Sequence, residues 1–166
     1  TVGKDRVDRQ FKRNWLGAKE NKMIRGAYHY YRPNENSIEQ AELFIKTVTL
    51  RKGDLPPVLD IEKLPKNQSI DSLKVGLKRW LHKVESHYKV KPIIYTGENY
   101  YDDFLKEEFS AYLFWIANYN FYRESIEEDW LFWQFTEKAT VPGIKTSVDI
   151  NIYNGDLEQL GFITVE

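Results

Sequence analysis

The 166-residue chain contains no cysteine. This excludes a disulfide framework and thiolate metal sites, and removes one clue to redox compartment. It has no surplus of charge either. Its 24 lysines and arginines stand against 25 aspartates and glutamates, a net charge of −1. Neither nucleic acid nor an anionic membrane surface is therefore expected as a partner. No apolar run approaches the ~18 residues of a spanning helix, so no membrane insertion is expected. Histidines number three. His82 and His87 lie five apart on a helical stretch, on different faces, and read as solvated surface groups. His29 lies inside an aromatic strand and reads as a packing residue rather than a ligand. Three scattered histidines do not make a metal site, and no calcium-type loop is present. There is also no Ser/His/Asp order, no glycine-rich phosphate loop and no HExxH. No metal and no cofactor are expected. The chain opens Thr1-Val2-Gly3 without a methionine or a secretory signal, so part of the natural protein is expected ahead of residue 1.

What the chain does have is aromatic side chains: 15%, with 11 Tyr and 5 Trp. Most are expected to fill a core, and a few to stack on sugar rings, which expose apolar faces to them. A length of 166 residues suits one domain, 1–166, with a real core. The apolar spacing of Phe11, Trp15 and Ala18 predicts a helix over 5–20, capped by Asp5. An aromatic strand follows over 23–32, ended by Pro33. Ser37 to Gln40 has capping-box spacing, and Ile38, Ala41, Ile45 and Val48 carry a helical stripe to about residue 50. After a Gly/Pro break comes the apolar run 56–62. Ser69 caps a third helix, striped by Leu73, Leu77, Trp80, Leu81 and Val84. Further strands are predicted at 93–96, 112–119, 130–136 and 147–153, with a helix over 98–108 and an acidic stretch over 120–129. Strands alternating with helices indicate an α/β fold with largely parallel pairing. The expected form is an α/β barrel-like domain with an incomplete helical layer toward the C-terminus. Six strands are visible. A closed eight-strand barrel would need two more, ahead of residue 1.

In such barrels function gathers at the carboxyl ends of the strands. Those ends hold Tyr28 and Tyr30, Asp60 and Glu62, Tyr95, Trp115 to Asn118, Gln134, and Asp149 with Asn151. Asp60 and Glu62 are the centre of the set. Side chains at i and i+2 of a strand share a face, so the two carboxyls project together while Leu59 and Ile61 point into packing. The pair reads as an acid couple, or as an acidic strand end turning toward Lys63 and Lys66. Carboxylates among aromatics suit glycoside hydrolysis, in which one carboxylic acid protonates the departing oxygen and another group stabilises or attacks the oxocarbenium centre. Crowding of Asp60, Glu62 and Asp149 is expected to raise the pKa of at least one of them. Glu62, with the longer reach, is the expected proton donor.

Six motifs in order, Gly-Ala-Tyr-His-Tyr-Tyr-Arg-Pro (26–33), Pro-Val-Leu-Asp-Ile-Glu (57–62), Ile-Tyr-Thr-Gly (94–97), Trp-Ile-Ala-Asn-Tyr (115–119), Trp-Gln-Phe (133–135) and Val-Asp-Ile-Asn (148–151), resemble the Chalaropsis-type lysozymes, the muramidases of glycoside hydrolase family twenty-five. The resemblance covers almost the whole chain. It implies an irregular, flattened TIM-like β/α barrel and hydrolysis of the β-1,4 bond between N-acetylmuramic acid and N-acetylglucosamine in peptidoglycan glycan strands. It also implies action at the cell wall, by a secreted, periplasmic or extracellular protein. By resemblance Glu62 is the general acid and Asp60 its neighbour, which orients the N-acetyl group or stabilises positive charge. Asp149 matches the acidic residue of the last strand. Tyr28, Tyr30, Tyr95, Trp115 and Gln134 fall where the family lines its sugar groove. The family's opening strand, with a further catalytic Asp, has no counterpart here. Thr1-Val2-Gly3 resembles the end of the second motif, so an open barrel with exposed apolar surface on the neighbouring strands is expected. The alternative class is a non-catalytic cell-wall glycan-binding domain derived from the same fold.

Overall fold

The computed structural model describes residues 1–119, 126 and 130–166. The acidic stretch 120–129 lies, apart from Ile126, outside the described residues. Six strands form one sheet in sequential order: β1 (Tyr28–Tyr30), β2 (Val58–Asp60), β3 (Ile93–Gly97), β4 (Leu113–Ala117), β5 (Trp130–Ala139) and β6 (Val148–Tyr153). The first four pairings are parallel and β5 with β6 is antiparallel. The sheet curls without closing among the described residues. What is present is a half-barrel with β1 and β6 at its edges, not a complete TIM-like barrel. Thr1–Gly3 runs beside β1, with Val2 bridged in parallel to Tyr30. Tyr28 on β1 and Ile152 on β6 are 60% and 41% exposed, apolar surface at both edges.

Helices α1 (Phe11–Glu20), α2 (Ser37–Thr47), α3 (Ile70–Tyr88), α4 (Glu98–Tyr100) and α5 (Leu157–Ile163) complete the fold. The first helix starts later than its apolar spacing suggests. Val2 and Arg6 exchange backbone hydrogen bonds in a tight turn, with Gly3 at φ +54°, and Asp5 caps nothing. The cap of α2 is Asn36, whose side chain accepts from the Ile38 and Glu39 amides, one residue before the expected Ser37. Ser69 caps α3 as its sequence indicates. The stretch after α4 continues as a π-helical turn over Tyr101–Leu105 rather than a regular helix. The paired part of β1 is three residues, not ten. Helix α5 escaped the sequence reading although Asp156 and Gln159 close a reciprocal capping box at its start.

The main core lies between the convex face of the sheet and helices α2 and α3, around Phe44, Trp80, Leu81, Phe114 and Trp130. His29 points into it, fully buried, stacked at 5.5 Å on Trp80. Gln40 Oε1 accepts from the Arg32 amide, so His29 Nε2 is the donor to that same oxygen at 3.1 Å. Burial lowers the His29 pKa to about 4. It is the satisfied packing histidine that its strand position implies. A smaller cluster on the concave face joins Val58, Ile93 and Phe132, with Leu160 and Ile163 of α5 packed against it. The chain after α5 is pinned by Val165, whose amide donates to the Asp54 carbonyl at 2.8 Å. The Asp54 carboxylate is buried in a bidentate pair with Arg25, whose guanidinium also lies over the Trp15 ring. Among the described residues no helix is long and apolar enough to cross a membrane.

Candidate active site

The concave face opens as a cleft of about 500 Å³ to which all six strands contribute side chains. Strand alternation explains the selection. On β1, Tyr28 and Tyr30 face the cleft while His29 faces the core. On β2 and just beyond it, Val58, Asp60 and Glu62 face the cleft while Leu59 and Ile61 are buried behind. The extended chain persists past Asp60 because the Ile61 amide donates to the Tyr95 carbonyl at 3.0 Å and Thr96 Oγ1 donates to the Ile61 carbonyl at 2.6 Å. Asp60 and Glu62 therefore keep their common face, about 6.6 Å apart along the chain.

The register then places the neighbours. Tyr30, Asp60 and Tyr95 stand side by side on three adjacent parallel strands, spaced about 4.8 Å. Tyr95 pairs in turn with Trp115 on β4. Its hydroxyl donates to Gln134 Oε1, and Trp115 Nε1 donates to Asn151 Oδ1 at 2.9 Å. Tyr95 packs edge-on against Trp115, and Trp115 against Phe132 at 4.6 Å. Tyr95 and Trp115 are thus both cleft wall and packing. Asp149 enters from β6 two residues before Asn151. All eight residues singled out from the sequence, Tyr28, Tyr30, Asp60, Glu62, Tyr95, Trp115, Gln134 and Asp149, line this one cleft.

Beside the apolar lining of Gly26, Ala27, Leu55 and Val58, two polar lining residues went unforeseen, Tyr119 and Glu137. Strict alternation would set Glu137 opposite Gln134. The pairing slips instead: Gln134 faces Asn151 and Thr136 faces Ile150, so β5 carries an extra residue there. Such a bulge re-aims the side chains after it, and Gln134 and Glu137 both reach the cleft. A second slip, where Phe114 faces Trp130 and Trp115 faces Phe132, puts Trp130 and Trp133 together in the main core. A three-residue spacing of like residues in an otherwise alternating strand is the only trace of this in the sequence.

Electrostatically the four carboxyls of the cleft are not equivalent. Asp60 is only 7% exposed, and its Oδ1 has no hydrogen-bond partner among the described residues. Burial, and secondly the Glu62 charge, push its pKa up to about 8. Asp60 therefore holds its proton at neutrality, because the ionised form would be poorly solvated and near a like charge. Crowding by Glu62 and Asp149 is the cause expected from the sequence; Asp60 is raised chiefly by burial instead, with Glu62 second. Glu62 and Asp149 are exposed to the cleft and to solvent. Among the described residues no three His, Cys, Asp or Glu converge as metal ligands. The arrangement can hold a polar ring against aromatic walls, with a buried carboxyl below it and exposed carboxyls at the rim.

The sequence profile of glycosyl hydrolases family 25 matches residues 1–144. The uncharacterized protein YegX of Escherichia coli O6:H1 is 41% identical over 98% of this chain and 60% of its own length. Lysozyme M1 of Streptomyces globisporus is 29% identical over 96% of the chain and 60% of its own length. The chain spans about three fifths of the length of these relatives. In three dimensions it resembles a family 25 glycosyl hydrolase from Bacillus anthracis, with a TM-score of 0.87 and 28% identity over 98% of this chain and 79% of that one.

Proposed function

The chain belongs to the glycosyl hydrolases of family 25, and on that premise we propose that it is a muramidase. The bond cleaved is the β-1,4 link between N-acetylmuramic acid and N-acetylglucosamine, and the place of action is the bacterial cell wall, outside the cytoplasmic membrane. The observation that carries this reading is the Asp60/Glu62 pair on one face of the β2 segment, in a cleft shared with Asp149 and walled by Tyr28, Tyr95 and Trp115. Similarity to Lysozyme M1 supports the same chemistry.

Glu62 is the proton donor to the departing glycosidic oxygen, since it stands at the solvent-facing rim where a sugar oxygen can reach it. Asp60 lies deeper and holds the N-acetyl group with its neutral carboxyl. Asp149 offsets the positive charge that develops at the anomeric carbon. The proton retained on Asp60 favours a second assignment, in which Asp60 itself is the acid. An aryl glycoside with a good leaving group separates the two, because only the variant lacking the true acid recovers activity on it.

The decisive test is incubation with purified peptidoglycan. Wild type should release new reducing ends on muramic acid, and Glu62→Gln should be slower by roughly 10²–10⁴-fold, the usual contribution of a general acid. No new reducing ends from the wild-type protein would remove the muramidase reading.

A further inference from the structure

The described lining of the cleft carries four carboxyls, Asp60, Glu62, Glu137 and Asp149, and no lysine or arginine. Lys63 lies outside the lining, but its ammonium stands 5.5 Å from the ring of the lining residue Tyr30, a cation at the edge of a cleft whose four carboxyls outnumber it. Glu137, Asp149 and Glu62 all act electrostatically on the Tyr119 hydroxyl, so these three carboxyls share the part of the cleft around Tyr119. At the floor of the cleft Asp60 is 7% exposed, and its Oδ1, closed off from solvent, has no partner among the described residues. An anion entering here loses its hydration and meets charge of its own sign. An amide meets neither cost and offers an N–H and a carbonyl to a neutral carboxyl.

This bears on the muramyl unit, and so rests on the function proposed above. The lactyl ether of muramic acid ends either in a free carboxylate or, on peptide-bearing strands, in an amide. We infer that the cleft selects by charge: it takes muramyl units whose lactyl carboxyl is amide-bonded and discriminates against the free lactyl carboxylate, with Glu137 as a specificity-determining residue. Cleavage by this protein then precedes, and does not follow, the amide hydrolysis that would liberate that carboxylate. Glu137 is suited to the role because the β5 bulge brings its charge to the cleft while the proposed acid chemistry belongs to Asp60 and Glu62.

The test uses two defined oligosaccharides of alternating N-acetylglucosamine and N-acetylmuramic acid, one with free lactyl carboxylates and one with lactyl N-methylamides. At low ionic strength kcat/KM should favour the amide by roughly fivefold, and the preference should shrink toward unity in 1 M salt, where the screening length falls to about 3 Å. Glu137→Gln should cut the low-salt preference by about half or more. Equal rates, or a preference for the carboxylate, would overturn the inference. A preference unmoved by both salt and Glu137→Gln would overturn its electrostatic basis and the part given to Glu137. If neither oligosaccharide is cleaved, the muramidase reading falls by itself. Calorimetric binding of the two to the Glu62→Gln protein then decides the charge selection, with tighter binding of the amide expected and equal binding contradicting it.

Discussion

His29 and Asp60 sit on neighbouring strands of the sheet, one on each face, and both are buried titratable groups held neutral. On the convex face His29 has partners for both ring nitrogens, in Gln40 and Thr1, and a stacking neighbour in Trp80. On the concave face Asp60 has an oxygen with no partner among the described residues. A buried polar group that is satisfied adds specificity to packing, whereas one left unsatisfied is a cost that a bound ligand can offset. The contrast is one between these two titratable groups, since Trp80 Nε1 in the convex core also lacks a partner among the described residues.

The sharpest way to break this comparison is to damage the convex face alone. Trp80 is fully buried against Phe44 and His29, and Trp80→Ala should cost about 3–5 kcal/mol. Its Asp60/Glu62 chemistry, measured below the new Tm, should be little changed. Denaturant unfolding checks the first part; a loss below ~1 kcal/mol would mean that the convex core is not the principal source of stability.

The pH dependence distinguishes the faces next. The Asp60 pKa is raised in the fold, so folding favours the protonated form, and its stabilising effect is lost as pH rises from about 4 to about 8. The His29 pKa is lowered from 6.5 to about 4, so its contribution increases as pH rises through that interval. Each slope is at most about 1.4 kcal/mol per pH unit. The two effects oppose each other between about pH 4 and 6.5, and Asp60 alone acts from there to about 8. Asp60→Asn, which retains the shape without the ionisation, should remove the decline above pH 6.5. It should raise Tm at pH 8 relative to wild type, at about 2–4 °C per kcal/mol. Thermal scans at pH 5 and pH 8 check this, and a Tm difference that does not widen toward pH 8 counts against a protonated Asp60.

A smaller effect sharpens the convex side. Gly76 lies inside α3, where alanine is ordinarily better by ~1 kcal/mol. A Cβ there would stand 2.7 Å from the hydroxyl oxygen of the buried Tyr31, so Gly76→Ala should destabilise by about 1–3 kcal/mol instead. Stabilisation on substitution would show that Tyr31 can withdraw.

Much of this was legible in the chain because it depends on local periodicity. The stripe from Leu73 to Val84 and the cap at Ser69 specify α3. The i, i+2 relation alone places Asp60 and Glu62 on one face, whatever packs around them. It also sets Tyr28 and Tyr30 against His29. By the same logic seven of the eight cleft residues could be named from the parallel strands β1 to β5, whose carboxyl ends lie on one side. Asp149, expected at a carboxyl end, sits at the amino end of β6, and only the antiparallel pairing brings it to that side.

Other features only the tertiary structure decided. The bulges of β5 are properties of pairing with β4 and β6, and no local rule announces that Glu137 joins Gln134. Helix α5 has its capping box in the sequence, yet its use comes from docking Leu160 and Ile163 beneath the concave face. Between Asp60 and Glu62, two carboxyls two residues apart, the sequence shows no difference in depth. The curl of the sheet buries Asp60 and leaves Glu62 at the rim. A pKa follows solvation and neighbouring charge, and both are set by the assembled walls of the cleft rather than by the order of residues along the strand.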